Sequence, residues 1–177
     1  MSSLLVVTGP PGAGKSTIAR ILADRLDPSV LVIGDTFFAF LARGAIEPWL
    51  PESHTQNEIV TRAAAAAAGR FASGGYETVY DGIVGPWFLP LFAKGTGLDR
   101  LDYAMLLPSV DQCLGRVATR PDHAFADPDA TRKMHHEFAS AVIEPRHVII
   151  DPPDHPEAVA DVVAAHRASG SLSYPII

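Results

Sequence analysis

Short apolar runs alternate along the chain with longer stretches in which apolar residues return every three or four positions. The runs are residues 4–7 (LLVV), 30–33 (VLVI), 78–80 (TVY), 103–107 (YAMLL) and 147–150 (HVII). They are nearly uninterrupted rather than alternating with polar residues, the pattern of strands buried on both faces of a parallel sheet. Between the first two, Ile18, Leu22 and Leu26 recur every four residues and predict a helix. The Ala-rich stretch RAAAAAAGRFASGG predicts another, ended by Gly74 and Gly75. Ser53 with Gln56, or Thr55 with Glu58, is expected to form a capping box at its start. VDQCLGRVATRP reads as a helix stopped by Pro121. ADPDATRKMHHEFASAV reads as one with Asp127 as N-cap and Pro128 in the first position, and with Met134, Phe138 and Val142 as its buried stripe. A last helix, PEAVADVVAAH, is expected to cover the final strand. This alternation predicts an α/β domain spanning residues 1–177, with a parallel sheet between layers of helices. The regular pattern breaks only over about 36–75.

At 177 residues, 47% apolar and 19% charged, the composition fits one folded domain. A formal charge of −6 and the lack of a Lys/Arg run argue against binding to nucleic acid or to an anionic membrane. Cys113 is the one cysteine, so an intrachain disulfide or thiolate zinc cluster is excluded and a small buried hydrophobe is expected. No signal-peptide pattern or membrane-length apolar run is present, and a cytoplasmic protein is expected.

The first strand runs into GPPGAGKST, which satisfies G-x-x-x-x-G-K-[ST] in full. The strand before it and the helix after it supply the context this motif needs. The loop from Gly9 through Pro10, Pro11, Gly12, Ala13 and Gly14 would turn backbone N–H groups towards phosphate oxygens. Thr17 follows, and the helix dipole adds to the attraction. Lys15 would reach the β- and γ-phosphates of a nucleoside triphosphate such as ATP, and the Ser16 hydroxyl would join a Mg²⁺ shell. Asp81 closes the third strand and is the candidate carboxylate for that ion. No Glu follows it, which counts against a motor ATPase. Asp35 closes the second strand. Strand C-termini of a parallel sheet open onto one crevice, so Asp35 would face the same space and accept a proton from an attacking hydroxyl. Its alternative role is to cap the next helix. Arg116 and Arg120 are four apart on one helix face, Arg132 follows, and the turn-rich PDHAFADPD between them suggests a lid.

GPPGAGKST, VIGD, VYDG, RVATRP and DPPDHP together resemble the small P-loop kinases: adenylate, shikimate and gluconate kinases and chloramphenicol phosphotransferase. The resemblance runs nearly end to end. It is strongest to bacterial kinase-like proteins grouped with AAA-family ATPases, where GAIEPWLPESHTQN and DGIVGPWFLP are expected to recur. It implies a three-layer P-loop fold with five parallel strands in the order 2-3-1-4-5, an acceptor-binding region at about 36–75 and a short lid at about 116–132. It also implies that adenine sits between Arg116 and the loop at Pro153, that Asp35 contacts the acceptor, and that Arg120 reaches the phosphates. Lid cysteines of the zinc type and a clear arginine pair for a nucleoside monophosphate are absent.

EPWLPESHTQN and GIVGPWF place Trp49, His54, Gln56, Asn57, Gly82, Val84 and Trp87 on the acceptor side, with Phe38 and Arg132 added to that set. Aromatic rings with a few amides suit a neutral, partly apolar hydroxyl compound. The expected activity is Mg²⁺-dependent transfer of the γ-phosphate of ATP to a small-molecule hydroxyl. Lys15, Asp35 and Arg120 would be its catalytic groups, in a monomer or homodimer. The rivals are an antibiotic-inactivating phosphotransferase and a slow nucleotide-hydrolysing switch.

Overall fold

The computed structural model describes residues 3–119 and 127–177. Its centre is a parallel sheet in the expected order, β2-β3-β1-β4-β5. The strands are β1 (Leu4–Thr8), β2 (Ser29–Ile33), β3 (Glu77–Asp81), β4 (Arg100–Leu107) and β5 (Val148–Ile150). A sixth strand, β6 (Ser173–Pro175), was not foreseen. It pairs antiparallel with the start of β4, Asp102 opposite Ser173.

The middle strand explains the uninterrupted apolar runs. Leu4, Leu5, Val6 and Val7 of β1 are all fully buried, and their side chains alternate between two cores. Leu4 and Val6 join Tyr80, Phe92, Tyr103 and Met105 on one face. Leu5 and Val7 join Val79, Ala104 and Leu106 on the other. The second face is covered by α1 (Lys15–Asp24) and α7 (Pro156–Ala168), through Ile18, Leu22, Val159 and Val163.

On the first face lie α3 (His54–Ser73) and α4 (Leu89–Thr96), after a short α2 (Gly34–Ala39) that follows β2 directly. The Ala run is the packing surface of α3: Ala64, Ala65, Ala68 and Ala72 are buried. A Cβ on Gly69 would collide with the Thr96 carbonyl oxygen, so glycine permits the close approach of α4. After β4 come α5 (Val110–Ala118) and α6 (Pro128–Ser140). Asp127 caps α6 as expected, its Oδ1 accepting from the Asp129 and Ala130 amides at 2.8 and 3.2 Å.

Two local expectations are corrected. Ser53 does not cap α3 with its side chain, because its hydroxyl donates to the carbonyls of Pro48 and Leu50. Gln56 instead holds the peptide of Ile46, accepting from its N–H at 2.8 Å and donating to its carbonyl at 2.7 Å. Val142 is not part of the buried stripe of α6: the helix ends at Ser140 and Val142 is 98% exposed. Among the described residues no helix is long and apolar enough to cross a membrane.

Candidate active site

The loop between β1 and α1 has the left-handed turns that its glycines allow, with φ of 78° at Gly12 and 90° at Gly14. Gly12 also admits a neighbour. A Cβ there would collide with the carbonyl of Cys113, so α5 rests directly on the loop. One turn further along α5, Arg116 donates from Nη1 to the Gly12 carbonyl at 3.4 Å. Cys113 is fully buried, and burial pushes its thiol up to about 11 against the opposing charges of Arg116 and Lys15. It is the packing residue the sequence suggested.

Lys15 and Ser16 open α1 and line a cavity of about 770 Å³. Asp35 lines it too, in the first turn of α2. Asp35 is not the helix cap; that position belongs to Ile33. Among the described residues no hydrogen bond or ion pair engages its carboxylate, which is exposed to the cavity. Asp81 is buried at the end of β3, beside Val7 of β1 and Ile33 of β2, so it lies at the sheet edge from which the phosphate loop departs. One hydroxyl (Ser16) and one carboxylate, together with phosphate oxygens, are a donor set that Mg²⁺ takes. Among the described residues no three acidic, His or Cys side chains form a dedicated metal cage.

Much of the cavity wall is aromatic. Phe38, Trp49, His54 and Trp87, which the sequence placed on the acceptor side, line this cavity, and so does Asn57. His54 stacks on Phe88 with centroids 5.9 Å apart, and Trp87 meets Phe138 edge-on at 5.0 Å. Asn57 donates to the Pro48 carbonyl at 2.7 Å and to Ser53 Oγ at 2.9 Å, which pins the 48–53 segment against α3.

Other expected residues lie elsewhere. Val84 is 1% exposed and structural: its N–H donates to Thr8 Oγ1 and its carbonyl accepts from the Tyr103 hydroxyl. Gly82 is buried against the Tyr80 ring rather than on the cavity wall. Arg132 faces outward and pairs with Asp129 at 3.1 Å, while the next residues, Lys133 and Met134, line the cavity. Arg120, with most of the PDHAFADPD stretch, is outside the described residues. Pro153 is exposed and not a wall of the cavity, but its loop is tied to α5 where Gln112 donates to Asp154 at 3.2 Å.

Sequence reasoning missed Tyr80, Glu47, Lys133 and Glu137 as cavity residues. For Tyr80 a signal was present. It directly precedes Asp81, at the strand end where a parallel sheet presents its ligand-facing residues.

No protein-family model matches the chain, and no curated protein is detectably similar to it in sequence. Solved structures are similar in fold. An unliganded sugar kinase from Janibacter sp. HTCC2649 matches with a TM-score of 0.72 at 20% identity, covering 95% of each chain. The APS kinase of Mycobacterium tuberculosis, in complex with AMPPNP and APS, gives 0.72 at 17% identity, covering 94% of this chain and 98% of its own. The tunicamycin resistance protein of Deinococcus radiodurans gives 0.69 at 18%, covering 94% and 96%. The chain therefore shares the fold of these proteins, a parallel sheet in the order 2-3-1-4-5 between layers of helices.

Proposed function

We propose that this protein is an ATP-dependent phosphotransferase that moves the γ-phosphoryl group of ATP to a hydroxyl of a small, largely uncharged acceptor. One observation carries the reading. A single cavity is lined by Lys15 and Ser16 of the phosphate loop, by the Asp35 carboxylate and by the aromatic side chains Phe38, Trp49 and Trp87.

In this reading the loop amides and Lys15 bind the phosphates, while Arg116, already seated on the loop, adds positive charge beside them. Ser16 and, through water, Asp81 would hold Mg²⁺, which when bound offsets charge on the β- and γ-phosphates. Asp35 accepts the hydroxyl proton as the acceptor oxygen bonds to the γ-phosphorus. The bond from that phosphorus to the β–γ bridging oxygen breaks, and ADP leaves with the electron pair. Trp49, Trp87, Phe38 and His54 hold the acceptor's carbon skeleton and keep water from competing. Phosphoryl transfer needs little more from a protein than such positioning and charge placement.

Among the described residues the cavity lining adds the acids Asp35, Glu47 and Glu137 and one cation beyond Lys15, Lys133. That balance supports a neutral acceptor over a phosphorylated or sulfated one.

The test is ATP consumption with Mg²⁺ against a panel of sugars, polyols, nucleosides and hydroxyl-bearing antibiotics, with Lys15→Ala as the blank. Turnover confined to one acceptor class, with the phosphorylated product identified by mass, is the expected result. Slow hydrolysis indifferent to every acceptor would overturn the reading in favour of a nucleotide switch.

A further inference from the structure

Tyr80 is 4% exposed, yet it reaches the surface of the cavity from below. Two glycines make room for it. A Cβ on Gly34 would collide with the Tyr80 hydroxyl oxygen, and one on Gly82 would stand 2.7 Å from the ring and 2.9 Å from the hydroxyl. Phe92 closes the remaining side, its ring centroid 4.6 Å away. The phenol thus occupies a slot formed where β2 and β3 end. Gly34, which bounds that slot, is followed directly by Asp35.

A buried tyrosine normally finds a hydrogen-bond partner for its O–H. Among the described residues no hydrogen bond engages the Tyr80 hydroxyl, and its oxygen is not one of the sealed polar atoms, so it is open to the cavity the residue lines. At neutral pH a phenol carries its proton, so its O–H is a donor. Its carboxylate neighbours and its place on the cavity floor leave one role that fits all of this.

We propose that Tyr80 is a specificity-determining residue, whose O–H donates to an oxygen of the acceptor one or two bonds from the hydroxyl that Asp35 deprotonates. The acceptor class is then a vicinal diol or a hydroxyl beside an ether or carbonyl oxygen, and not a simple alcohol. This rests on the phosphotransferase reading above. The energetic logic is that of a site built around a hydrogen bond: an analogue lacking the partner oxygen covers the O–H, displaces the water it would meet and gives it no acceptor in return, and is rejected.

The experiment compares matched probes, aryl-1,2-diols and hexitols against the deoxy partner of each that lacks the neighbouring oxygen. Transfer of labelled phosphate from ATP is followed with wild type and with Tyr80→Phe. Wild type is expected to favour the oxygen-bearing partner by roughly 10–100-fold in kcat/KM. In Tyr80→Phe that ratio is expected to fall towards one, mainly through a raised KM. A merely structural role for Tyr80 would depress both partners alike and leave the ratio unchanged, which overturns the proposal while sparing the phosphotransferase reading. A wild-type ratio near one overturns it without recourse to any variant. Absence of labelled product from every probe, with steady ATP hydrolysis, overturns both.

Discussion

Asp35 and His147 show how differently two titratable side chains are used in one small protein. Asp35 stands in the first turn of α2, open to the cavity. Asp35→Asn keeps its shape and removes its ability to take a proton. We expect kcat to fall by about 10²–10⁴, with the ATP dissociation constant, measured by calorimetry, unaltered. His147 is 1% exposed and interleaved between Tyr103 and Tyr174. Its Nδ1–H donates to the Tyr103 carbonyl at 3.1 Å, and among the described residues its buried Nε2 has no partner. Burial lowers its pKa below the ordinary value, outweighing the opposite influence of that hydrogen bond and of Glu144 and Asp102. The unfolded chain therefore takes up a proton on His147 before the folded chain does. The resulting stability is whole above about pH 6.5 and is lost as pH falls below it. Urea midpoints measured from pH 7.5 to 5 should show this slope, and His147→Gln should flatten part of it.

Among the elements, α5 binds the site together. Its N-terminus carries a reciprocal capping box: Ser109 Oγ accepts from the Gln112 amide, and Gln112 Oε1 accepts from the Ser109 amide at 3.1 Å. One turn on, the same helix presses the Cys113 carbonyl against Gly12 and sends Arg116 to the loop. Ser109→Ala should cost about 1 kcal/mol of stability. It should also weaken ATP binding, because the loop loses the support of a firmly set helix; denaturant titration and calorimetry on one preparation would separate the two effects. The pattern S-x-x-Q occurs at both 53–56 and 109–112, yet only the second forms a box. The reason is not local. The chain at 48–51 folds back so that the Pro48 and Leu50 carbonyls take the Ser53 hydroxyl. A four-residue motif carries no record of such a return. The strands and α1 were legible because their signals lie within each segment. β6, three residues long and containing Pro175, has no such signal and exists through its pairing with β4.

For the whole molecule, the two ends of the sheet have different duties. At the end away from the phosphate loop, Arg167 of α7 is 7% exposed and bonds Asp102 of β4 at 3.1 Å and Glu77 of β3 at 2.7 Å. Arg167→Ala leaves buried carboxylate charge without its counter-ion and should cost about 3–5 kcal/mol, with ATP affinity of the folded protein unaffected. At the other end, ATP binding should add to stability by mass action. ATP at a hundred times its dissociation constant should add about 2.7 kcal/mol. At roughly 2–4 °C per kcal/mol for a chain of this size, the thermal midpoint should rise by about 5–11 °C, and Lys15→Ala should abolish the rise. The phosphate end of the site was legible because nine consecutive residues encode it. The aromatic part of the cavity was legible only in part, because it is assembled from α2, the 47–54 segment, the 83–88 loop and α6. Side chains such as Lys133 and Glu137 become walls only when α6 is laid across the others.

The two tryptophans of the chain, Trp49 and Trp87, are both walls of that cavity. All indole emission from this protein therefore originates at the wall of this cavity, from chromophores that differ in surroundings, Trp87 being 44% exposed and Trp49 half-buried. The molecule carries its own optical reporter. A compound entering the cavity should shift or quench the emission with no label attached, and Trp49→Phe and Trp87→Phe would divide the signal between the two walls. An unknown acceptor can thus be sought by light before any product is isolated.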